Sequence, residues 1–384
     1  MQQTSHLPPR LDSLPPELLL AILAHLPPPH ISLGSGSPPS QRNALFAVQR
    51  TSKRLCAVCT PILWDGLEMD IGPGARGETW RVVAQLRASR ERALACRKLR
   101  LEAFDWEFLP PFESEGERLL PNVEDVELYQ TMPATLDVVA RFRKTRRLAI
   151  EYAELLSAPS QVTFAHLERM SLADVTIHLP SSRSTSFFDT SILPSLRQLR
   201  LGRIYVEPSM RDDDDDGGGG ASVFSPALVR QLDQLHLELS GVYSLCDGVL
   251  PVVALTPDAP VMWHFKLGEW ARPFVGLPPP RLPVSFLYAT LSEHWLDEIT
   301  IIQLRGLLAV HTYLRLVLVP RLLWRHGARR SSPADEPGPV LGAIVAECAA
   351  RGTAVRAYDA ERERDGFVPS EAAQFWREEG VGRV

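Results

Sequence analysis

The chain has 384 residues, with 41 Lys plus Arg against 46 Asp plus Glu and a formal net charge of -5. This balance argues against a protein whose main task is to neutralise nucleic-acid phosphates, and a hydrophobic content of 45% argues against wholesale disorder. The five scattered cysteines are too few for a secreted disulfide framework, so the composition favours a cytoplasmic or nuclear protein. The apolar stretch over 304–324 carries several arginines, which are costly in hydrocarbon, so we predict no membrane span.

The predicted elements begin with a short helix near the amino end. The first ten residues are polar and contain proline, so we expect residues 1–10 to be disordered. In the segment LDSLPPELLLAILAHLP, Ser13 is placed to cap a helix whose first turn is rich in proline. Apolar residues then recur at helical spacing up to Leu26, where a proline run ends the element. A loop rich in proline, serine and glycine leads to a second helical pattern that closes at Trp64.

These two helices resemble an F-box over about residues 11–65. The residues that carry the resemblance are Leu14, Pro15, Glu17, Leu18, Leu19, Ile22, Leu26, Val48, Lys53, Arg54, Leu55 and Trp64. The resemblance implies docking onto the Skp adaptor of a cullin–RING ubiquitin ligase. It assigns that contact to Leu14, Pro15, Leu18, Ile22, Leu26, Val48, Leu55 and Trp64. The residues alone leave one alternative open, in which the apolar helix face packs on the rest of the chain as an N-terminal cap.

Beyond about residue 95, a short apolar pattern recurs that is typical of strands with one buried side. An apolar residue is followed three and five positions later by two more, starting from Cys96, Val123, Thr145, Leu167, Leu196, Leu232 and Met262. A Leu-Pro pair at Leu120 and again at Leu193 stands in the same register before two of these segments, which adds shared context to a pattern that is common by chance. Short strands repeated roughly every 20 to 30 residues resemble an irregular leucine-rich-repeat solenoid.

The chain departs from the leucine-rich family three residues after the last apolar position of each repeat. Where Asn or Cys is expected, it has Phe104, Thr131, Ala153, Val175, Ile204 and Ser240. A buried Asn ladder therefore cannot satisfy the backbone of the turns, and we expect repeats of uneven curvature. Near the carboxyl end, we predict a helix starting at Leu291, a strand over 314–319, a helix over 340–350 and a strand over 353–358.

The predicted fold class is α/β, with all-α F-box helices followed by a leucine-rich-repeat-like solenoid of parallel strands. The predicted divisions are a disordered N-terminus over 1–10, an F-box-like helical domain over 11–66, the solenoid over 67–360 and a charged tail over 361–384. Five consecutive aspartates followed by four glycines predict a disordered insertion over about 209–222, because such a run repels itself and cannot pack.

No motif predicts an active site, a cofactor or a metal. Cys56 and Cys59 form a CxxC inside a predicted helix without a second ligand pair, so we interpret them as buried structural thiols. The glycine run lacks the Lys and the Ser or Thr of a phosphate loop. The basic cluster over 141–147 could contact nucleic acid or an acidic partner, but a solvated edge beside a repeat strand explains it better. We predict a non-catalytic protein without a nucleic-acid or membrane partner.

These features together predict a two-part adaptor. The F-box resemblance implies binding to the Skp adaptor and, through it, to cullin, and the solenoid implies recruitment of an unknown protein substrate. We expect that substrate on the concave, outward-facing positions of the strands, where mixed charge favours selectivity. These positions include Lys98, Arg100, Asp125, Glu127, Tyr129, Arg147, Arg169, Arg200 and His236. The alternative is a repeat scaffold outside the ubiquitin pathway whose N-terminal helices only cap the solenoid, and an unrecognised enzyme or nucleic-acid binder is the third hypothesis.

Overall fold

The structure is a computed structural model, and its contacts divide the chain into two compact units. Unit 1 consists of Met1–Glu154 with Phe164–Leu167, and unit 2 of Leu155–Thr163 with Glu168–Val384. The residues that the structure describes are 14–24, 31–32, 47–70, 76–102, 116–130, 136–155, 163–178, 186–202, 204–207, 223–239, 261–267, 286–291, 304–305, 314–324, 337, 339–358, 372 and 374.

Unit 1 joins short helices to a sheet of parallel strands. Its described elements are α1 Pro16–Ala24, β1 Ile31–Ser32, α2 Lys53–Trp64, β2 Gly66–Asp70, α3 Arg76–Ala88, α4 Arg90–Ala95, β3 Lys98–Glu102, β4 Asp125–Tyr129, α5 Leu136–Ala140 and β5 Arg147–Leu155, whose last residue belongs to unit 2. The strands are parallel and are paired in chain order from β1 to β5. A single residue, Asp65, separates α2 from β2, so the helices continue into the sheet without a linker.

Unit 2 is a second series of parallel strands with few described helices. Its elements are β6 Arg169–His178, β7 Gln198–Leu201, β8 Ile204–Glu207, α6 Pro226–Gln231, β9 Gln234–Leu239, β10 Val261–Leu267, β11 Phe286–Leu291, β12 Leu314–Pro320, α7 Arg321–Trp324, α8 Pro339–Ala349 and β13 Ala354–Tyr358. The pairing runs β6, β7, β9, β10, β11, β12, β13, and β8 pairs with β6. The α/β class with N-terminal helices and parallel strands is therefore confirmed, and the described strands form neither a closed nor a curled sheet.

The predicted apolar pattern fixes the register of the strands. In unit 1, Leu99 pairs with Val126 and Val126 with Leu148, and all three side chains are buried. In unit 2, Met170 pairs with Leu199 and Leu199 with Leu235, so the same repeat position forms a second buried row. The polar residues between these positions point to the other side, because side chains alternate along a strand. We call this side the outward strand face.

Backbone carbonyls form a hydrogen-bonded ladder at the amino ends of the strands. In each case the residue just before a strand accepts hydrogen bonds from two successive amides of the next repeat. The Asp65 carbonyl accepts from Arg97 and Lys98, both at 2.9 Å, and the Arg97 carbonyl accepts from Glu124 at 2.8 Å and Asp125 at 3.0 Å. The Glu124, Glu168 and Arg197 carbonyls do the same. The ladder satisfies backbone amides where the strands begin, and the positions at which the leucine-rich family has Asn follow the last inward residue of each strand.

A left-handed residue recurs at one repeat position. Gln130, Tyr152 and Asp174 have φ of 51°, 53° and 55°, and each is the second residue after the last inward apolar side chain of its repeat. In β5 the residues at this point, Glu151 and Tyr152, are both exposed, so the left-handed residue interrupts the alternation of buried and exposed side chains before it resumes. A non-glycine residue in this conformation costs roughly 1–2 kcal/mol.

Several expectations about individual elements need correction. β1, β2 and β11 were not predicted, and the predicted helix from Leu291 begins on a residue that ends β11. The repeat assigned to Met262, Phe265 and Leu267 is out of register, because Leu237 pairs with Trp263. The predicted elements over 314–319, 340–350 and 353–358 agree with β12, α8 and β13. Residues 1–10, the insertion over 209–222 and all of the tail over 361–384 except 372 and 374 lie outside the described residues.

Candidate functional site

The candidate site is built on α1 and α2, which pack against each other at the start of unit 1. Helix α2 begins where the Ser52 side chain accepts a hydrogen bond from the Leu55 amide at 3.1 Å, an N-cap that satisfies one unpaired amide of the first turn. Arg54, in that first turn, donates through Nη2 to the Leu14 carbonyl at 2.9 Å. This bond ties the residues just before α1 to the beginning of α2.

Helix α1 divides its apolar side chains between two environments. Leu19 and Leu23 are one helical turn apart and are buried, Leu19 to 1% exposure. Leu18 and Ile22 form the neighbouring stripe and are 52% and 44% exposed. Leu20 is also exposed and lies about 200° from Leu18 around the helix axis, since each residue turns the helix by about 100°. The core therefore uses only one narrow side of α1.

Helix α2 is embedded much more completely than α1. Leu55, Cys59, Leu63 and Trp64 are buried, and α2 contacts α4 as well as α1. The guanidinium carbon of Arg92, on α4, lies 5.2 Å from the centre of the Trp64 ring, a cation–π contact that covers the indole. α2 therefore packs against α1 and connects it to the first strands of the sheet.

The residues assigned to the adaptor contact are not equally accessible. Pro15, Leu18 and Ile22 are exposed, and Leu14 and Val48 are half-buried. Leu55 and Trp64 are buried, so in this structure they hold α2 in place and offer no surface to another chain. Leu26 lies outside the described residues. The accessible part of the assigned face on α1 is therefore formed by Leu18 and Ile22, which we call the α1 stripe. Leu20, which was not predicted to belong to the site, is exposed on the other side of the buried Leu19 and Leu23.

A second assembly of polar side chains covers the outward strand face of unit 1. Lys98, Asp125 and Arg147 occupy one row of the register, and Arg147 Nη1 lies 3.2 Å from Asp125 Oδ2. In the next row, Arg100 lies between Glu68 and Glu127, at 3.7 Å and 4.0 Å. Ion pairs that stay partly open to solvent contribute only about 0–1 kcal/mol each, so these rows add little to the stability of the strands.

The outward positions of unit 2 agree less well with the prediction. Arg169 is exposed and Arg200 is half-buried, as an outward position requires. His236 pairs with Arg200 in the register but is only 1% exposed. Its assignment to an accessible substrate surface is therefore wrong for this structure, because burial removes the imidazole from any partner.

Of the CxxC pair, which was predicted to be buried, Cys59 is buried and Cys56 is half-buried. Cys59 is fully buried, and burial raises the pKa of its thiol, with a further increase from the neighbouring Cys56. Burial likewise raises the pKa of Cys96 to about 12 and that of Cys348 to about 11. The raised pKa keeps Cys59, Cys96 and Cys348 protonated at neutral pH, and the thiolate is the form that reacts and binds metals. Across the described ranges, no three His, Cys, Asp or Glu side chains assemble into a metal-binding group.

Comparison with known proteins finds a match at the helix pair. Residues 11–68 match a family model described as F-box-like, which includes α1, α2 and the first residues of β2. No curated protein and no solved structure matches the chain. Among the helices that the structure describes, none has the length and apolar character needed to cross a membrane. The match supports an F-box protein, and F-box domains are typical of non-catalytic adaptor subunits.

Proposed function

We propose that this protein is a substrate-recognition subunit of a Skp–cullin–F-box ubiquitin ligase. The observation that carries the proposal is the exposed stripe of Leu18 and Ile22 on a helix inside the F-box-like match. Apolar side chains at this density on a short helix are typical of a surface that another subunit covers. The Skp adaptor would bind α1, and cullin would be bound through the adaptor.

Burial of the α1 stripe would supply part of the free energy of a stable contact, about 1.5–3 kcal/mol for Leu18 and Ile22 together, and other residues of the interface would supply the rest. Full burial of a Leu or Ile side chain contributes about 1.5–3 kcal/mol, and Leu18 and Ile22 each keep roughly half of their surface open. A few such side chains at the centre of an interface dominate binding, while their surroundings mainly exclude water. The buried Leu19 and Leu23 stabilise α1 before the adaptor arrives, so little ordering cost is left to reduce the affinity.

The parallel strands would recruit the target protein. The carbonyl ladder, the shared register and the recurring left-handed residue support a leucine-rich-repeat-like arrangement of the strands. The outward strand face of unit 1 presents both signs of charge in rows, a pattern that selects partners by complementary ion pairs. The chain would carry out no chemistry itself, since its contribution to ubiquitin transfer is to hold target and ligase together.

A second candidate function is a repeat scaffold outside the ubiquitin pathway, in which the helices only cap the strands. The observation that favours it is the direct continuation of α2 into β2 and the packing of α2 on α4. Such a cap explains the burial of Leu55 and Trp64. It leaves the exposed stripe on α1 without a purpose, which is why we prefer the ligase proposal.

Co-purification of the full chain with a purified Skp-type adaptor tests the proposal. The wild-type chain should retain the adaptor, and Leu18→Arg and Ile22→Glu should each lose it. Leu94→Arg is the matched control, because Leu94 is 42% exposed on α4 and outside the assigned face. All three variants should keep the wild-type circular dichroism spectrum. Retention of the adaptor by both α1 variants, or its absence from the wild type, would reject the ligase proposal.

A further inference from the structure

Two tyrosines form an aromatic pair on the outward strand face of unit 1. Tyr129 ends β4, Tyr152 lies in β5, and their ring centres are 5.3 Å apart in an edge-to-face arrangement. The guanidinium carbon of Arg100 lies 5.2 Å from the centre of the Tyr129 ring. The Tyr152 ring is 43% exposed. Arg100 therefore contacts one ring of the pair, and Tyr152 keeps a large part of its surface open to solvent.

The backbone conformation at Tyr152 indicates that its ring adds no net stability to the folded chain. Gln130 and Asp174 occupy the same repeat position in the same left-handed conformation, so the position requires the conformation and not an aromatic side chain. A bulky residue there costs roughly 1–2 kcal/mol. An edge-to-face contact with Tyr129 returns about 0.5–1.5 kcal/mol, which only offsets that cost. Strained residues of this kind are concentrated at functional sites.

The charges around the pair define the partner it fits. In the register, Tyr129 lies between Glu102 and Glu151, and Glu127 precedes it by two residues on the same side of β4. A cation on the face of a tyrosine gains from the ring quadrupole, and carboxylates beside the ring add to that gain. Glu127 Oε2 already lies 4.0 Å from Arg100 Nη1, so exposed Glu151 is the carboxylate that an incoming cation would meet.

We propose that Tyr129 and Tyr152 form the docking point for an arginine or lysine side chain of a basic segment in the recruited protein. The cation would stack on the exposed ring of Tyr152 and lie beside Glu151, as Arg100 already stacks on Tyr129. The inference rests on the proposed function only in taking the outward strand face as the surface that binds the target. Partner choice by this site depends on positive charge in the segment, with the two rings providing the contact area.

Fluorescence anisotropy of labelled peptides with the full chain tests the docking point. The probe is a short end-blocked peptide of alternating glycine and arginine, compared with versions that carry glutamine or glutamate for arginine. The arginine peptide should bind at least about tenfold more tightly than the glutamine peptide, and more weakly as salt increases. Tyr152→Ala should lower the affinity for the arginine peptide by about fivefold to tenfold. Equal binding of the arginine and glutamine peptides, or tighter binding of the glutamate peptide, would overturn the proposal.

A matched control separates this site from general attraction to an acidic protein. Tyr205 is 44% exposed on β8 in unit 2, and Tyr205→Ala should change the affinity for the arginine peptide by less than twofold. Equal losses in the two tyrosine variants would contradict a specific docking point. Tyr152→Gly tests a purely structural role for Tyr152. This variant should bind the arginine peptide at least about fivefold more weakly, while its thermal midpoint stays within about 3 °C of the wild-type value, because the relief of strain offsets the lost ring contact. A much lower midpoint would show that the ring is needed for stability and would overturn the strain argument.

The outcome also separates this inference from the ligase proposal. Tyr152→Ala should still co-purify with the Skp-type adaptor, because α1 does not include this residue. If the adaptor binds through α1 but the arginine peptide shows no preference, the docking point is wrong and the ligase proposal stands. If the peptide binds as expected but the wild type does not retain the adaptor, the docking point stands and the ligase proposal fails.

Discussion

Helix α1 and the strands of unit 1 use their apolar side chains in opposite ways. In β3 and β4, the inward residues Leu99, Leu101, Val126 and Leu128 are all buried, and the residues between them are polar or half-buried. In α1, only Leu19 and Leu23 are buried, and the apolar residues around them are open to solvent. The strands therefore complete their own packing within the chain, whereas α1 carries apolar surface beyond what the chain covers.

This difference distinguishes the buried side chains, which stabilise the fold, from the exposed apolar side chains of α1, which we propose bind a partner. Buried rows fix the register of the strands, backbone carbonyls satisfy the amides where the strands begin, and the polar outward side is not used for this packing. The helix is fixed by its inner stripe, the buried Leu19 and Leu23, and by the hydrogen bond from Arg54 to Leu14. Its outer stripe, the exposed Leu18 and Ile22 that we have called the α1 stripe, contributes little to folding. Substitutions on the two stripes of one helix should accordingly act on two different properties.

The largest stability effect expected is the contrast between Leu19 and Leu18. Leu19→Ala removes a fully buried side chain and should lower the free energy of unfolding by about 3 kcal/mol, from lost transfer energy and the cavity left behind. Leu18→Ala should change it by less than about 0.5 kcal/mol, since the residue is half open to solvent. Urea denaturation followed by circular dichroism measures both. Similar losses would mean that α1 has no outer stripe.

A smaller effect on stability is expected from the hydrogen-bonded carboxylate of Asp189 in unit 2. Asp189 accepts hydrogen bonds from the Ser191 hydroxyl at 2.6 Å and from the Ser191 and Ile192 amides at 2.8 Å and 3.0 Å. Burial alone would raise the pKa of Asp189, but these bonds outweigh it and hold the pKa below its usual value. Asp189→Ala should therefore cost about 1 kcal/mol at neutral pH.

The sign of the pH dependence follows from the lowered pKa of Asp189. The carboxylate stabilises the folded state at pH above the ordinary value of about 3.9, and this contribution is lost as pH falls through the lower pKa of the folded protein. Denaturation of wild type and Asp189→Asn at a series of pH values measures it. The two curves should differ at pH 6 and converge in acid, and a constant difference would contradict the hydrogen-bonded carboxylate.

The smallest effect concerns the left-handed position of the repeats. Gln130→Gly should raise the free energy of unfolding by about 0.5 kcal/mol, because glycine adopts a positive φ at no steric cost and this gain exceeds its extra chain entropy. Glu127→Gly, in the same strand at an ordinary extended position, is the control and should lower it by a similar amount. Thermal unfolding measures both variants. A loss at Gln130 equal to that at Glu127 would refute the strain assigned to this position.

The strands could be predicted from the sequence where the apolar spacing recurred beside other shared residues, such as the Leu-Pro pair before two of the segments. β2 was missed although Trp64, Leu67 and Met69 have the same spacing as Cys96, Leu99 and Leu101, and Leu67 pairs with Leu99. Trp64 therefore occupies the first position of a repeat, which explains its burial and its absence from the accessible adaptor face. The seventh repeat was misplaced because apolar residues are frequent enough for the spacing to arise by chance.

The candidate site could be predicted only in part, for reasons of tertiary packing. Leu18, Leu19 and Leu20 are identical in type, and the packing against α2 decides which of them is buried. Only the F-box resemblance pointed to Leu18 and Ile22, and helical spacing alone does not distinguish the two stripes. The aromatic pair was beyond the sequence as well, because Tyr152 reaches its exposed position through a backbone conformation that its residue type does not favour.

The central claim is that the outer stripe of α1 is kept open for a Skp-type adaptor. Calorimetric titration of the purified full-length chain with that adaptor tests it most directly. The wild type should bind with a negative heat-capacity change, the sign of apolar burial. Leu18→Arg should weaken the Kd by at least about a hundredfold, as expected for a residue at an interface centre, while Leu94→Arg keeps the wild-type Kd. Equal Kd values for Leu18→Arg and Leu94→Arg would contradict the claim.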